Sequence, residues 1–378
     1  MTVSRIAVIG GDGIGPEVIE QAIRVSDAAM KKHGGQIEWN RLPWSGEWYK
    51  KTGMMMPPDG WEVLKQHDSI LLGAIGHPDV PDHITLHGLL LPMRRKFDQY
   101  LNYRPAYLYA GVPCPLCDHD PVSGGIVAKK PGAIDMVVYR ENTEGEYAPI
   151  GGRLYEGMPQ EIAIQANVFT RRGCDRIMRA AFEAARKRRK KLTSITKSNA
   201  QQFGMVLWDE VFKDVAREYP DIQSGSLLVD AAAMDFVRRP ESFDVVVASN
   251  LFGDILTDLS AIITGSMGMA ASANINPERV YPSMFEPVHG SAPDIAGKGI
   301  ANPLAAILSA GLMLEFLGIT AAAEAMRQAV AKLLEGGKTL PPDLGGKAKT
   351  EEVGAAVAAK RYKREALTSP ATSCSSPS

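Results

Sequence analysis

Two aspartates, Asp254 and Asp258, stand four residues apart in the stretch Asn250-Leu251-Phe252-Gly253-Asp254-Ile255-Leu256-Thr257-Asp258-Leu259. On a helix this spacing sets both carboxylates on one face, while Ile255, Leu256 and Leu259 can pack inward. Like charges so placed repel by roughly a few tenths of a kcal/mol, a cost that Mg²⁺ or Mn²⁺ on hard oxygen ligands would remove. The plainer alternative, acidic residues favoured at a helix N-terminus, accounts for Asp254 better than for Asp258. A third carboxylate, Asp230, ends the predicted strand Leu227-Leu228-Val229-Asp230, the usual place for functional groups in a parallel sheet. Arg94 and Arg104 lie ten apart around a predicted helix end, and Arg140 follows Met136-Val137-Val138-Tyr139. Guanidinium forks bind carboxylates bidentately, so three of them suit a substrate carrying two carboxylates.

Other segments invite chemistry less clearly. The turn Gly10-Gly11-Asp12-Gly13-Ile14-Gly15-Pro16-Glu17 follows a strand and opens a helix, but its glycines miss the spacing of a dinucleotide fingerprint. It is either a tight structural turn or a close approach to a cofactor. Cys114-Pro115-Leu116-Cys117 lacks the second pair of ligands that a structural zinc site needs, which leaves reduced thiols as the expectation. The six basic residues Arg186 to Lys191 read better as solvated cations at a helix C-terminus than as a nucleic-acid patch.

The elements that would position these groups alternate. Strands are predicted at Arg5 to Ile9, Ser69 to Leu72, Asp135 to Tyr139, Leu192 to Thr196, Leu227 to Asp230 and Asp244 to Ala248. Helices are predicted at Gly15 to Lys32, Leu86 to Tyr100, Asp175 to Arg189, Phe203 to Glu218, Asp254 to Thr264, Pro303 to Leu317 and Ala321 to Leu334. Between Glu161 and Phe169 the residues Ile162, Ile164, Ala166 and Val168 alternate like a half-buried strand. The alternation implies an α/β fold with a largely parallel sheet and an antiparallel portion in the middle.

With 378 residues, 45% of them hydrophobic, the chain can bury two domains of ordinary size. Its 42 Lys and Arg against 43 Asp and Glu give no global pull toward nucleic acid or anionic membranes. No apolar run approaches a membrane span or a signal sequence, so a cytoplasmic location is expected. The segment Ala366 to Ser378, rich in Ser, Thr and Pro, has little to bury and is expected to be disordered.

Five motifs in order make the chain resemble the β-decarboxylating dehydrogenases, the family of isopropylmalate, isocitrate and tartrate/D-malate dehydrogenases. They are Gly11 to Glu17, Arg94 with Asn102-Tyr103-Arg104-Pro105, Tyr139-Arg140-Glu141-Asn142-Thr143-Glu144-Gly145, Asn250 to Leu259, and Glu286-Pro287-Val288-His289-Gly290-Ser291-Ala292-Pro293-Asp294. The resemblance implies an isopropylmalate dehydrogenase-like two-domain fold with a large mixed sheet, not a Rossmann fold. One domain would comprise residues 1–104 and 265–365, the other residues 105–264. It implies Arg94, Arg104 and Arg140 on the malate-like part of the substrate, Asp230, Asp254 and Asp258 on Mn²⁺ or Mg²⁺, and Tyr147 with Lys197 as the acid-base pair. K⁺ is a candidate further cation. It further implies a homodimer in which Lys197 and one metal carboxylate come from the neighbouring subunit. A lysine serving as base must be partly neutral, a state that burial or nearby cations favour.

For the cofactor, the resemblance places Ile14, Gly290, Ser291 and Ala292 against it, His289 and Asn302 on its adenine side and Glu286 toward the nicotinamide. Where NADP-using members carry Lys and Tyr, this chain has Asp294 and Ile295. Asp294 would accept from ribose hydroxyls and repel a 2′-phosphate, so NAD is expected. Isocitrate enzymes offer Ser and Asn six and four residues before the first arginine, but here those positions are Gly88 and Leu90. The surrounding pattern is most similar to tartrate and D-malate dehydrogenases, with His87 where those carry Trp. Isopropylmalate is the competing substrate. A non-catalytic regulatory subunit would be expected to lose a metal carboxylate or Lys197, and all are present.

Overall fold

The computed structural model describes residues 3–119 and 125–360, so the expectation for the C-terminal tail lies outside the described residues. Its strands in chain order are β1 (Val3–Gly11), β2 (Gln36–Leu42), β3 (Ser69–Ala74), β4 (Leu101–Tyr107), β5 (Cys117–His119), β6 (Ile126–Ala128), β7 (Asp135–Glu141), β8 (Gly151–Leu154), β9 (Ile162–Gln165), β10 (Lys191–Thr196), β11 (Gln223–Leu228), β12 (Val245–Ala248), β13 (Ala271–Ile275) and β14 (Ser283–Pro287). Ten of them form one sheet in the order β11-β10-β12-β7-β4-β13-β14-β3-β1-β2. Pairing is parallel within β11-β10-β12-β7 and within β14-β3-β1-β2. The two wings meet through antiparallel β4 and β13. The expected large mixed α/β sheet is therefore what the chain forms.

Burial explains the strand sequences. β3, β7, β13 and β14 are buried at every position, as strands covered on both faces must be. Helix Leu304–Phe316 is apolar nearly all round and runs through the core, while Pro16 opens helix Gly15–His33 where its missing N–H costs nothing.

Several expectations need correction. The helix before Arg94 starts at Asp82, widens into an i→i+5 turn over Leu86–Leu90 and ends at Lys96, short of Tyr100. Asp230 does not end a strand: β11 stops at Leu228 and Asp230 lies in the first turn of helix Val229–Arg238. The helix bearing Asp254 begins at Asn250, which puts Asp254 past its first turn and removes the helix-terminus explanation for that residue. Ile255 faces outward. β9 is exposed throughout and pairs with equally exposed β8, because among the described residues no further element covers this ribbon.

Arg186, Lys187, Arg189 and Lys190 are exposed at the helix end as expected, but Arg188 departs from that reading. Arg188 is buried between Asp135 and Asp244, both at 2.7 Å, and Arg189 donates to the carbonyls of Asp135 and Phe243. These bonds tie the end of helix Arg171–Arg186 to the starts of β7 and β12.

Candidate active site

Register builds the site's floor. Arg140 on β7 pairs with Asn102 on β4, Asn102 with Asn274 on β13, and Ser272 with Glu286 on β14. Paired residues of antiparallel strands share a face, and so do residues two apart on one strand. Arg140, Asn102, Arg104, Asn274, Ser272 and Glu286 thus line one face of four neighbouring strands.

Hydrogen bonds make this band continuous. Arg94 donates to Glu286 Oε1 at 2.8 Å, and the same oxygen accepts from Asn274 Nδ2 at 2.8 Å. Asn274 Oδ1 accepts from Asn102 and Asn142. Alternating small and polar residues in Ala271-Ser272-Ala273-Asn274-Ile275 were the available signal for this layer, and sequence reasoning missed it.

Arg104 and Arg140 converge on one carboxylate. Their Nη1 atoms reach Asp254 Oδ1 at 3.1 and 2.5 Å, and Tyr147 donates its hydroxyl to Asp254 Oδ2 at 2.8 Å. Arg140 also grips Asn250 Oδ1 through Nε and Nη2, and Arg104 reaches Thr257 Oγ1 at 2.6 Å. Gly253 permits the approach, because a Cβ there would stand 2.7 Å from Arg140 Cβ.

These contacts set the charges. Burial alone would raise Asp254, but Arg140, Arg104, the Tyr147 hydroxyl and Arg94 outweigh it and hold the carboxyl at about 2. Burial, then Asp254, pushes Tyr147 up to about 12, so its phenol stays protonated. Asp258, more open to solvent, is raised by burial and by Asp254 beside it. Burial lowers Arg140 and Arg104.

Lys197 and Asp230 sit together elsewhere: Nζ meets Asp230 Oδ1 at 2.5 Å, and this bond lowers Asp230. Among the described residues of the single chain, no three His, Cys, Asp or Glu gather into a metal-binding group. Asp230 therefore does not join Asp254 and Asp258 within one chain. His87 is exposed on the wide turn, Leu90 is half-buried, and Arg94 follows one turn later.

The glycine turn is locked into its surroundings. Ile14 N–H donates to Ser291 O at 2.8 Å, and a Cβ on Gly13, whose φ is +56°, would meet that oxygen at 1.9 Å. Asp12 accepts from Gly46 and Gly76 N–H, fixing the turn beside the end of β3. Packing alone thus requires Gly13. His289 lies half-buried with burial lowering its pKa, Asn302 donates to Asp343, and Gly290 and Asp294 are exposed beside half-buried Ala292. Among the described residues the buried Nε atoms of Arg94 and Arg104, and His289 Nε2, have no hydrogen-bond partner. The two arginine Nε–H groups are unsatisfied buried donors and fit an anionic ligand, whereas His289, whose Nδ1 donates to Gly290 O, leaves Nε2 as an acceptor.

Residues 5–357 match the family described as isocitrate/isopropylmalate dehydrogenase. The chain belongs to that family. It is 50% identical to a D-malate dehydrogenase [decarboxylating] of Escherichia coli (strain K12), over 94% of this chain and 98% of that protein. It is equally 50% identical to a tartrate dehydrogenase/decarboxylase of Pseudomonas putida, over 93% and 96%. The solved isocitrate dehydrogenase of Methylococcus capsulatus superimposes with a TM-score of 0.82 at 34% identity, covering 94% of this chain and 98% of that one. As a member of the isocitrate/isopropylmalate dehydrogenase family the chain is an oxidoreductase, and the α/β fold with a large mixed sheet expected from the motifs is shared with that solved structure.

Proposed function

We propose that this chain oxidises a small 2-hydroxy diacid, D-malate or tartrate, with NAD and a divalent metal, and decarboxylates the resulting keto acid, D-malate giving pyruvate and CO₂. The observation that carries this reading is the convergence of buried Arg104 and Arg140, with Arg94 beside them, on a face that also bears Asp254 and Tyr147. The two relatives' names support the substrate class. Arg94, Arg104 and Arg140 would hold the two carboxylates, with His87 and Leu90 flanking the substituent at C3.

Asp254 and Asp258 offer hard oxygens that raise one another's cost of ionisation, which fits Mn²⁺ or Mg²⁺ completed by Asp230 of the partner subunit. Ile14, Glu286, His289, Gly290, Ser291, Ala292, Asp294 and Asn302 would hold NAD. When bound, the metal supplies a Lewis acid at the C2 oxygen and the nicotinamide accepts the hydride. Lys197 of the partner subunit takes the hydroxyl proton, and the arginines hold the carboxylates so that C2 stays fixed. Tyr147, kept in its phenol form, gives a proton to C3 after CO₂ departs.

What the chain leaves open supports a homodimer. Met234, Val237, Ile255 and Ile262 are exposed on the helices that also carry Asp230, Asp254 and Asp258, and Phe203, near Lys197, is 80% exposed. Residues 1–104 with 265–365 would form the cofactor side of a cytoplasmic enzyme, and residues 105–264 the dimerising side. The test is NADH absorbance with CO₂ detection for protein supplied with NAD, Mn²⁺ and each of D-malate, the tartrate isomers, isocitrate and 3-isopropylmalate. Turnover of 3-isopropylmalate far above D-malate would reverse the substrate assignment, and no turnover of any diacid would favour a non-catalytic subunit.

A further inference from the structure

Glu146 has no part in that chemistry, yet both of its oxygens are used. Oε1 accepts the Ser249 hydroxyl at 2.7 Å and Oε2 accepts Leu251 N–H at 3.0 Å, with the residue buried. Ser249 precedes helix Asn250–Ile263 and would ordinarily cap it by accepting a first-turn N–H. Here its hydroxyl turns away to donate to Glu146, and Glu146 satisfies the Leu251 N–H in its place. The carboxylate also sits at the positive end of a 14-residue helix.

The adjoining residue is Tyr147, whose hydroxyl meets Asp254 one turn further along the same helix. Asn250 Nδ2 adds a third tie, donating to Glu144 O at 3.0 Å. The segment before the phenol is thereby fastened to the helix that presents Asp254 and Asp258. We propose that Glu146 is a positioning residue for proton transfer, fixing Tyr147 against the metal-binding helix. This rests on the functional reading above and extends it to a residue that touches neither substrate nor cofactor.

The experiment compares the full-length wild type, E146A, E146Q, Y147F and the double variant E146A/Y147F, each with NAD, Mn²⁺ and D-malate, alongside thermal unfolding. In E146A, kcat should fall about 10- to 100-fold while the KM for NAD holds, the scale on which outer support of a reacting group acts. E146Q keeps one carbonyl acceptor and should recover part of the loss. In the Y147F background the Glu146→Ala change should cost little more, since the group it positions is already gone. A purely structural role would lower the melting temperature and leave kcat per folded molecule intact. That result, or fully additive losses in the double variant, overturns the proposal. Should E146A fail to fold, E146Q and S249A carry the same comparison. A wild type inactive on every diacid refutes the functional reading instead.

Discussion

Removing an acidic residue from a charged active site usually relieves repulsion, but Asp254 should behave in the opposite way. It is the shared acceptor for Arg104 and Arg140, whose side chains are only 8% and 1% exposed, and for the Tyr147 hydroxyl. In Asp254→Ala two buried guanidinium groups lose their counter-ion, and Arg140 retains only the Asn250 amide oxygen. Breaking a buried ion pair from one side costs about 3–5 kcal/mol. For a chain of this size that corresponds to a fall in Tm of roughly 4–6 °C. Asp254→Asn keeps an oxygen for the arginines but not the charge, so its loss should be intermediate. The assay is thermal unfolding in EDTA, followed by Mn²⁺ addition, which should stabilise wild type by about 2.7 kcal/mol at a hundredfold excess over Kd and leave Asp254→Ala unmoved. If metal-free Asp254→Ala melts at or above wild type, the two arginines do not depend on this carboxylate and the electrostatic account of the site is wrong.

Lys197→Ala and Asp258→Ala should each be inactive alone, but subunit exchange between them should restore about a quarter of wild-type activity, since half the dimers would be mixed and each would hold one intact site. No recovery would mean that each chain builds its own site. Asp294→Asn should raise kcat/KM with NADP relative to NAD, on the order of tenfold, by removing a charge that opposes a 2′-phosphate; a wild type that already uses both equally would refute the cofactor assignment. Glu141 is pushed up to about 7 from 4.5 by burial, with N–H bonds from Thr143 and Glu144 opposing that shift. The native state therefore binds this proton more tightly than the unfolded chain, and its contribution to stability declines as pH rises from about 4.5 through 7, by up to about 3 kcal/mol. Urea unfolding at pH 5 and pH 8 should show this as a pH-dependent gap between wild type and Glu141→Gln, and a constant gap would sink the assignment.

Much of the site was legible because its residues sit where pattern reasoning is strongest. Arg140 closes a continuous apolar strand, and Asp254 and Asp258 share a helical spacing that only one secondary structure makes meaningful. The buried polar band of Asn102, Asn142, Asn274 and Glu286 was not legible, because strands β13 and β14 were not recognised and register between distant segments has no local signature. Between Ile162 and Val168 the strand and its antiparallel pairing were legible but its burial was not, because alternation marks a strand with two unlike faces and not which neighbour covers the apolar one. Among the described residues of the single chain nothing covers β9, and a second copy is the occupant that the homodimer reading supplies. Within the basic run the burial of Arg188 was not legible, because its partners Asp135 and Asp244 are remote in sequence.

The charges of the site also bear on the order in which ligands bind. Arg94, Arg104 and Arg140 face Asp254, Asp258 and Glu286, three cations against three anions in the single chain. A dicarboxylate alone would add two negative charges beside Asp254 and draw both guanidinium groups away from it. A divalent cation alone would compete with those guanidinium groups for the same oxygen. Together the two ligands would add no net charge, the diacid taking over the arginines and freeing Asp254 for the metal. Each should therefore tighten the other by the same factor, about 5- to 150-fold for a coupling of ordinary strength. Titration calorimetry of Mn²⁺ with and without D-malate, and of D-malate with and without Mn²⁺, in the absence of NAD, measures both legs. Equal Kd values in the two titrations of either ligand would mean that Asp254 does not exchange partners, and the arginine-bound carboxylate would then be a structural ion pair and not part of a metal site.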